Sequence, residues 1–312
     1  MYNYIAKRLF FAVFSLIGVL TLIFFIVRVL PGDPALVILG DLASEASLAA
    51  VRKQLGLDQS LAVQYWSFMR GALTGDLGRS MLNDRPVLDL ISSVLPYTLI
   101  LTASALVTGC IVGIPLGVWA ALRRNRMPDY VTRMLSLLGV SFPSFVSAIL
   151  LLLAFAIQIR IFPVVGSSAT TFWGQVQALV LPTISLGLIM VAYITRVTRS
   201  AMLEVLREDY VRTAVAKGMS ASTVIWRHAF RNALMPVITV VGLYLGVLMG
   251  NSVLTEIVFN RPGLGKLIVS AVVQRDYTLL QGVMVVYTML FILVNLVTDL
   301  VYGVVDPRVQ YE

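Results

Sequence analysis

Two residue types that carry much of metal and nucleophile chemistry are almost missing from this chain. Its 312 residues include one cysteine, Cys110, and one histidine, His228. A lone cysteine excludes an intrachain disulfide and a thiolate zinc cluster. A lone histidine with no cysteine cluster beside it supplies neither a metal centre nor a catalytic triad. Cys110 reads as a small packing residue inside an apolar run. Charge is scarce as well. Charged residues make up 13% of the chain, where a soluble domain carries roughly 25%. With 58% hydrophobic residues and a mean hydropathy of +0.88, the chain lacks the polar groups to face water over its whole surface. Its solvent is lipid.

A phosphate-binding loop is missing too. That loop needs Gly, four residues, then Gly-Lys-Ser/Thr. The chain's Gly265-Lys266 pair is followed by Leu267, and Asn260 stands at the first glycine position. Any ATP chemistry therefore belongs to a partner. The formal net charge is +8, but the cations are divided among several loops and not gathered on one face, which argues against nucleic acid as a partner.

What the chain does have is long apolar runs. Six of them cover about 9–30, 97–122, 131–161, 178–196, 234–256 and 282–304, each long enough to supply the roughly 20 residues that a helix needs to span hydrocarbon. They are continuously apolar, unlike the alternating strands of a membrane barrel. The spanning runs are therefore helices, which satisfy their own backbone. Lys7-Arg8 before the first run resembles a signal peptide, but no small-x-small site follows, and an uncleaved first span is expected. The middles of the spans are nearly free of charge, which disfavours an ion-coupled secondary transporter. They also show no cluster of nucleophile, base or metal ligands, which disfavours an intramembrane enzyme.

Cations set the orientation. Lys7 and Arg8 precede the first span; Arg123, Arg124, Arg126 and Arg133 lie between the second and third; Arg196, Arg199, Arg207, Arg212, Lys217, Arg227 and Arg231 lie between the fourth and fifth. The opposite side has an uncharged loop at about 162–177 and a long loop, 31–96, in which seven acids outweigh five cations. Both termini and the loop between spans four and five are thus expected in the cytoplasm.

Residues 31–96 contain helical pattern: Glu45 to Leu55, then Leu61 to about Ala72 with Leu61, Tyr65 and Phe68 on one face, a turn at Gly75-Asp-Leu-Gly78, and Pro86 opening a helix toward the second span. The loop reads either as a small external cap that receives a partner or as a passive scaffold. In the second span Gly109, Gly113 and Gly117, spaced by four, permit close helix packing. Pro115, Pro143 and Pro182 are expected to kink or break their helices.

The cytoplasmic loop 197–233 carries the strongest pattern. Glu208 to Lys217 is helical, Gly218 breaks the helix, and Ser220 or Ser222 caps a second helix through Trp226 and Phe230 toward Pro236. This predicts an elbow lying along the membrane, with small residues (Thr213, Ala214, Ala216, Gly218) at its tip; the competing reading is an amphipathic helix on the lipid surface. Polar residues inside spans mark either a substrate path or hydrogen bonds between helices. Here they are Asn251, Ser252, Thr255 and Glu256 in the fifth span and Thr288, Asn295, Thr298 and Asp299 in the sixth.

The elbow resembles the "EAA" loop of permease subunits in type I ABC importers, whose pattern is Glu-Ala-Ala, three residues, Gly, nine residues, Ile-x-Leu-Pro. Here Arg212-Thr213-Ala214 precedes Gly218 with the same gap, and His228-Ala229-Phe230-Arg231 stands where Leu-Pro is absent. Those departures are similar to the dipeptide/oligopeptide (peptide/nickel) branch, as are Pro31-Gly-Asp-Pro34, Leu55-Gly-Leu-Asp58, Gly75-Asp-Leu-Gly78-Arg-Ser80, Pro96-Tyr-Thr98, Ser141-Phe-Pro-Ser144, Arg261-Pro-Gly-Leu-Gly265 and Val305-Asp-Pro-Arg308. Together they resemble that branch's first, "B"-type, permease.

The resemblance implies an all-α, six-span importer permease of the bacterial inner membrane. Its expected divisions are an N-terminal segment and first span (1–30), an external loop with short helices (31–96) and a five-span core (97–312). It implies no catalysis and no cofactor in this chain, with ATP and Mg on partner subunits. The implied partners are a second permease, two ATP-binding subunits and an external solute-binding protein. The elbow would be a coupling helix seated in an ATPase groove, through Tyr210, Arg212, Thr213, Ala214, Lys217, Gly218, Ser220, Arg227 and His228. Arg261, Gly263, Gly265 and Lys266 would approach the binding protein; the competing reading tucks that hairpin into the membrane edge. Short peptides are the first expectation for cargo, with nickel chelates, glutathione or oligosaccharides as alternatives.

Overall fold

In the computed structural model, residues 2–29, 34–39, 43–54, 56–164 and 171–305 are described. The motif residues Pro31-Gly-Asp, Leu55 and Asp306-Pro-Arg308, and much of the loop between the third and fourth spans, lie outside them. The elements are all helical: α1 (Tyr2–Val29), α2 (Pro34–Leu39), α3 (Glu45–Gln54), α4 (Leu61–Thr74), α5 (Val87–Leu122), α6 (Met127–Ser141), α7 (Ser144–Leu151, continuing as a π-helix over Leu152–Gln158), α8 (Phe172–Val205), α9 (Asp209–Ala216), α10 (Ala221–Thr223, continuing as a π-helix over Val224–Phe230), α11 (Arg231–Val258), α12 (Leu264–Val273) and α13 (Tyr277–Val305). Five stretches are long and apolar enough to cross a membrane: Lys7–Arg28, Val87–Leu122, Phe172–Val205, Ala221–Val258 and Tyr277–Leu300. The pair Met127–Ser141 and Ser144–Gln158, bent by 101° at its break, makes a sixth where it is counted as one broken span.

That bend sits at Pro143, which has no N–H to continue the ladder and pushes Phe142 into extended backbone (φ −93°, ψ 123°). The expected break at Pro143 is therefore present. At Pro115 and Pro182 there is no break: α5 and α8 run through them as continuous helices. Within a bilayer, neighbouring groups and small local adjustments accommodate the backbone that a proline frees. α5 is also longer than expected. Its 36 residues extend about 54 Å at 1.5 Å per residue, against a hydrocarbon core of about 30 Å. The helix opened by Pro86 and the second span are one rod.

The chain divides into two compact units. The first comprises Met1–Tyr97 and Pro262–Leu293, the second Thr98–Arg261 and Val294–Glu312.

In the first unit, α4 lies against α1. Thr21 Oγ1 and the Tyr65 hydroxyl are 2.8 Å apart, the Arg28 guanidinium donates to Gln64 Oε1, and Phe24 meets Tyr65 edge-to-face. Thr21 is seven residues inward from Arg28, so α4 packs on the outer part of the first span. Its packed stripe runs through Tyr65, Phe68, Met69 and Ala72, at helical spacing. Leu61, expected on that face, is 57% exposed. Asp276 anchors the start of α13. It is 1% exposed, and its carboxylate accepts from Ser80 Oγ (2.5 Å), the Met81 N–H (3.2 Å) and the Leu279 N–H (3.0 Å). It thereby caps the helix and ties a loop nearly two hundred residues away. Asp276→Ala removes the cap and orphans buried donors, and is expected to cost about 2 kcal/mol. A lowered unfolding midpoint of the purified protein in detergent checks this, and an unchanged midpoint would show the cap to be dispensable.

In the second unit, the glycines of α5 meet α8. A Cβ at Gly109 would stand 2.6 Å from Met190 Cβ, one at Gly113 3.0 Å from Ile194 Cβ, and one at Gly117 2.6 Å from Thr198 Cβ. Thr195 Oγ1 donates to the Gly113 carbonyl at 3.2 Å across the same seam. The four-residue spacing therefore serves close backbone approach, as expected of small residues between membrane helices.

Candidate coupling elbow and translocation residues

α9 opens at Glu208, in extended backbone, with Asp209 in the first turn where the helix dipole favours a negative charge. It ends in a Schellman motif. Gly218 adopts φ +75°, its N–H donates to the Val215 carbonyl at 2.9 Å, and the Met219 N–H donates to the Ala214 carbonyl at 3.3 Å. Ser220 Oγ then accepts from the Thr223 N–H at 3.3 Å and caps the second arm. The expected helix, glycine break and serine cap are present, with the helix one residue shorter at each end and Ser220 the capping serine.

The second arm does not stop near Pro236. α10, its π-helical continuation and α11 form one apolar rod, Ala221–Val258, of 38 residues. The elbow is thus continuous with the fifth span. A small core of Val211, Ala214 and Val224, flanked by Val205 and Leu206, holds its two arms together. Asn232 Nδ2 donates to the Tyr210 hydroxyl at 2.6 Å and adds a polar tie.

This geometry sorts the expected contact residues. Arg212, Thr213, Lys217, Gly218, Ser220 and Arg227 are exposed, as is Tyr210 beyond its tie to Asn232. Ala214 is buried in the elbow's own core, so its small side chain serves the fold and not an approaching surface. His228 is half-buried, and its Nε2 has no hydrogen-bond partner among the described residues. Val215, Met219 and Trp226 add exposed apolar surface to the tip that sequence reading did not single out.

A second feature was missed from sequence. Asp129, on α6, is 0% exposed and receives Arg199 of α8 bidentately, Nε at 2.5 Å and Nη2 at 2.9 Å. The Asn125 N–H donates to it at 2.9 Å, and Arg133 Nε lies at 3.7 Å. The available signal was that Asp129 is the one acid between Asp89 and Glu204, set among arginines.

The polar residues of the fifth span are closely packed. Ser252, Thr255 and Glu256 are buried, and Asn251 is half-buried. Ser252 Oγ donates to the Met249 carbonyl and Thr255 Oγ1 to that of Asn251, both in their own helix. Glu256 accepts from Thr98 Oγ1 at 2.6 Å, joining α11 to α5. In α13, Thr298 Oγ1 lies 3.4 Å from the Gly242 carbonyl of α11. Asn295 is half-buried in the second unit; Thr288 is buried and belongs to the first. Helix-to-helix bonding thus accounts for Glu256 and Thr298.

In the hairpin expected to meet a binding protein, Arg261, Gly263 and Gly265 are buried and Lys266 is half-buried. Val269 and Val272 to Arg275, on α12 and just beyond it, are exposed. Among the described residues no group of three or more His, Cys, Asp or Glu side chains could hold a metal ion.

Comparison with known proteins supplies the context for these features. Residues 113–311 match the family described as "Binding-protein-dependent transport system inner membrane component", and residues 1–102 match "Binding-prot-dependent transport system membrane comp, N-term". The glutathione transport system permease protein GsiC of Salmonella choleraesuis (strain SC-B67) is 42% identical over 312 residues, covering 100% of both chains. The protein of the same name from Escherichia coli (strain K12) shows the same identity and coverage. Among solved structures, an inward-facing form of the MetNI methionine ABC transporter aligns with a TM-score of 0.58 at 18% identity, over 71% of this chain and 98% of that one. An amino acid ABC transporter with histidines aligns with a TM-score of 0.51 at 16% identity, over 71% and 95%.

Proposed function

Because the chain belongs to the binding-protein-dependent transport system inner membrane component family, and is thus a multi-pass, non-catalytic permease subunit of an ABC importer, we propose that its cargo is glutathione. The observation that carries this is 42% identity, end to end, with permeases named for glutathione transport. Short peptides are the first expectation from the sequence and glutathione is among the alternatives; the relatives favour that alternative. Glutathione is itself a tripeptide, so the change narrows the cargo class.

The proposed assembly is a second permease beside this one, two ATPase subunits beneath them and an external glutathione-binding protein above. Closure of the ATPases on ATP shifts the elbow. The elbow's core and its unbroken connection to α11 support transmission of that shift as motion of a whole span. A two-state device needs a contact that differs between its states, and the exposed tip Arg212, Thr213, Val215, Lys217 and Met219 offers such a contact. The basic tip also suits an acidic groove.

The decisive experiment reconstitutes the co-purified complex in proteoliposomes. ATP-dependent glutathione uptake that requires the binding protein is expected. Uptake by this chain alone under an ion gradient would refute the importer, and dipeptide uptake uninhibited by glutathione would refute the cargo. Docking is tested separately. Thr213 is exposed at the tip, so Thr213→Trp should block the seat sterically and lower ATPase recovery in a pull-down about tenfold, a loss near 1.4 kcal/mol. Undiminished recovery would place the ATPases elsewhere.

A further inference from the structure

The break in the third span leaves a helix start with donors to spare. Ser144 and Phe145 open α7, where backbone N–H groups have no acceptor in their own helix; the next two, of Val146 and Ser147, donate to the Pro143 carbonyl at 3.0 and 3.3 Å. No side chain caps this end. Ser144 is 4% exposed, and its Oγ has no hydrogen-bond partner among the described residues. The other nearby hydroxyls are engaged: Ser147 Oγ donates to the Ser144 carbonyl and Ser185 Oγ to the Pro182 carbonyl.

Ser144 lines a half-open cleft of about 510 Å³ within the second unit, inside the roughly 300–1,000 Å³ typical of small-molecule sites. Its walls are mainly apolar, including Leu138, Phe142, Leu151 and Ile189, and no lining residue carries a charge. Unsatisfied polar groups at membrane depth are costly, and irregular backbone there persists where it lines a cavity. The start of a helix carries partial positive charge and favours an anion. Half-helix starts at the middle of transporter bundles take the anionic groups of substrates by this means.

We propose that this cleft is a cargo subsite in the permease itself, in which the N-terminus of α7 and the free Ser144 hydroxyl hold a carboxylate of the peptide. The proposal rests on the reading of the chain as a glutathione importer. It adds a point of recognition within the membrane to any selection made outside it.

The test is equilibrium dialysis of radiolabelled glutathione, and of glutathione diethyl ester, against the solubilised complex of both permeases and the ATPases without binding protein. The wild type should bind the acid about tenfold more tightly than the ester, the scale of one charge-assisted hydrogen bond. Ser144→Asp puts a like charge beside the carboxylate and should erase that preference by weakening the acid alone. An unchanged preference in Ser144→Asp overturns the subsite, as does equal or tighter binding of the ester by the wild type, which would mark an apolar crevice. Should Ser144→Asp not assemble, Ser144→Ala should lower the preference about threefold, and no change there overturns the proposal. Glutathione uptake by the reconstituted wild-type transporter separates the two readings. Uptake with a Ser144-independent preference removes the subsite and leaves the cargo assignment standing; absence of uptake removes both.

Discussion

Asp129→Asn is expected to destabilise the chain by about 3 kcal/mol, because it leaves Arg199 aimed at a group that no longer carries charge. The case rests on geometry. Asp129 is fully buried, holds Arg199 by two hydrogen bonds, and takes a third from the Asn125 N–H. The pair joins α6 to α8, and α8 leads directly into the elbow. A buried pair of this kind adds little over an apolar replacement of both partners, but removing one partner leaves the other's desolvation uncompensated. The expected signatures follow. Asp129→Asn and Arg199→Ala should each lower the unfolding midpoint in detergent. Combining Asp129→Ala with Arg199→Ala should cost less than the sum of those same two changes made singly, by roughly 1–3 kcal/mol. Arg199→Lys keeps the charge but loses the planar two-point fit, and should fall between. Arg133, half exposed and 3.7 Å from Asp129, should contribute under about 1 kcal/mol when replaced by alanine. A double mutant no better than additive would show that the two residues do not act as a pair.

That pair also marks where sequence reading stopped. Spans were legible because apolar runs near 20 residues have one outcome in lipid. The elbow was legible because its punctuation is local: Gly218 and Ser220 act within three or four residues of themselves, and both occupy the expected roles. Contacts distant in sequence were not. Arg199 read as one more cytoplasmic cation, and its acid lies 70 residues upstream. Asp276 drew no attention, although it ties Ser80 across 196 residues. Prolines were ambiguous for a related reason. Pro143 breaks its span while Pro115 and Pro182 do not, and the difference depends on neighbouring helices that no local pattern reports. Exposure was the hardest quantity to read. Ala214 and Gly265 look like open small residues in the sequence and are buried in the structure.

Gly218→Pro should abolish transport in a chain that still inserts. Gly218 sits at φ +75°, and proline is held near −65°. The substitution also deletes the N–H that closes on the Val215 carbonyl. Both halves of the Schellman motif are lost, so α9 and the second arm must meet at another angle. No atom lies within 4 Å of a Cβ built at this position, so the effect is conformational and not steric. It is also local, because the spans on either side have their own packing. The elbow's tip would be displaced from its seat while the 38-residue rod that begins at Ala221 stays in the membrane. A misdirected lever loses the coupling between nucleotide closure and span movement. A loss of about 3 kcal/mol of coupling corresponds to uptake roughly 100-fold lower. Gly218→Ala is the graded control. It keeps the N–H and meets only the left-handed backbone penalty of about 1–2 kcal/mol, so uptake should drop by about five- to thirtyfold. The order wild type, Gly218→Ala, Gly218→Pro is therefore expected in ATP-driven glutathione uptake, at equal amounts of inserted chain. Full uptake in Gly218→Pro would mean that the elbow's angle does not matter, and the coupling role would have to be placed elsewhere in the chain.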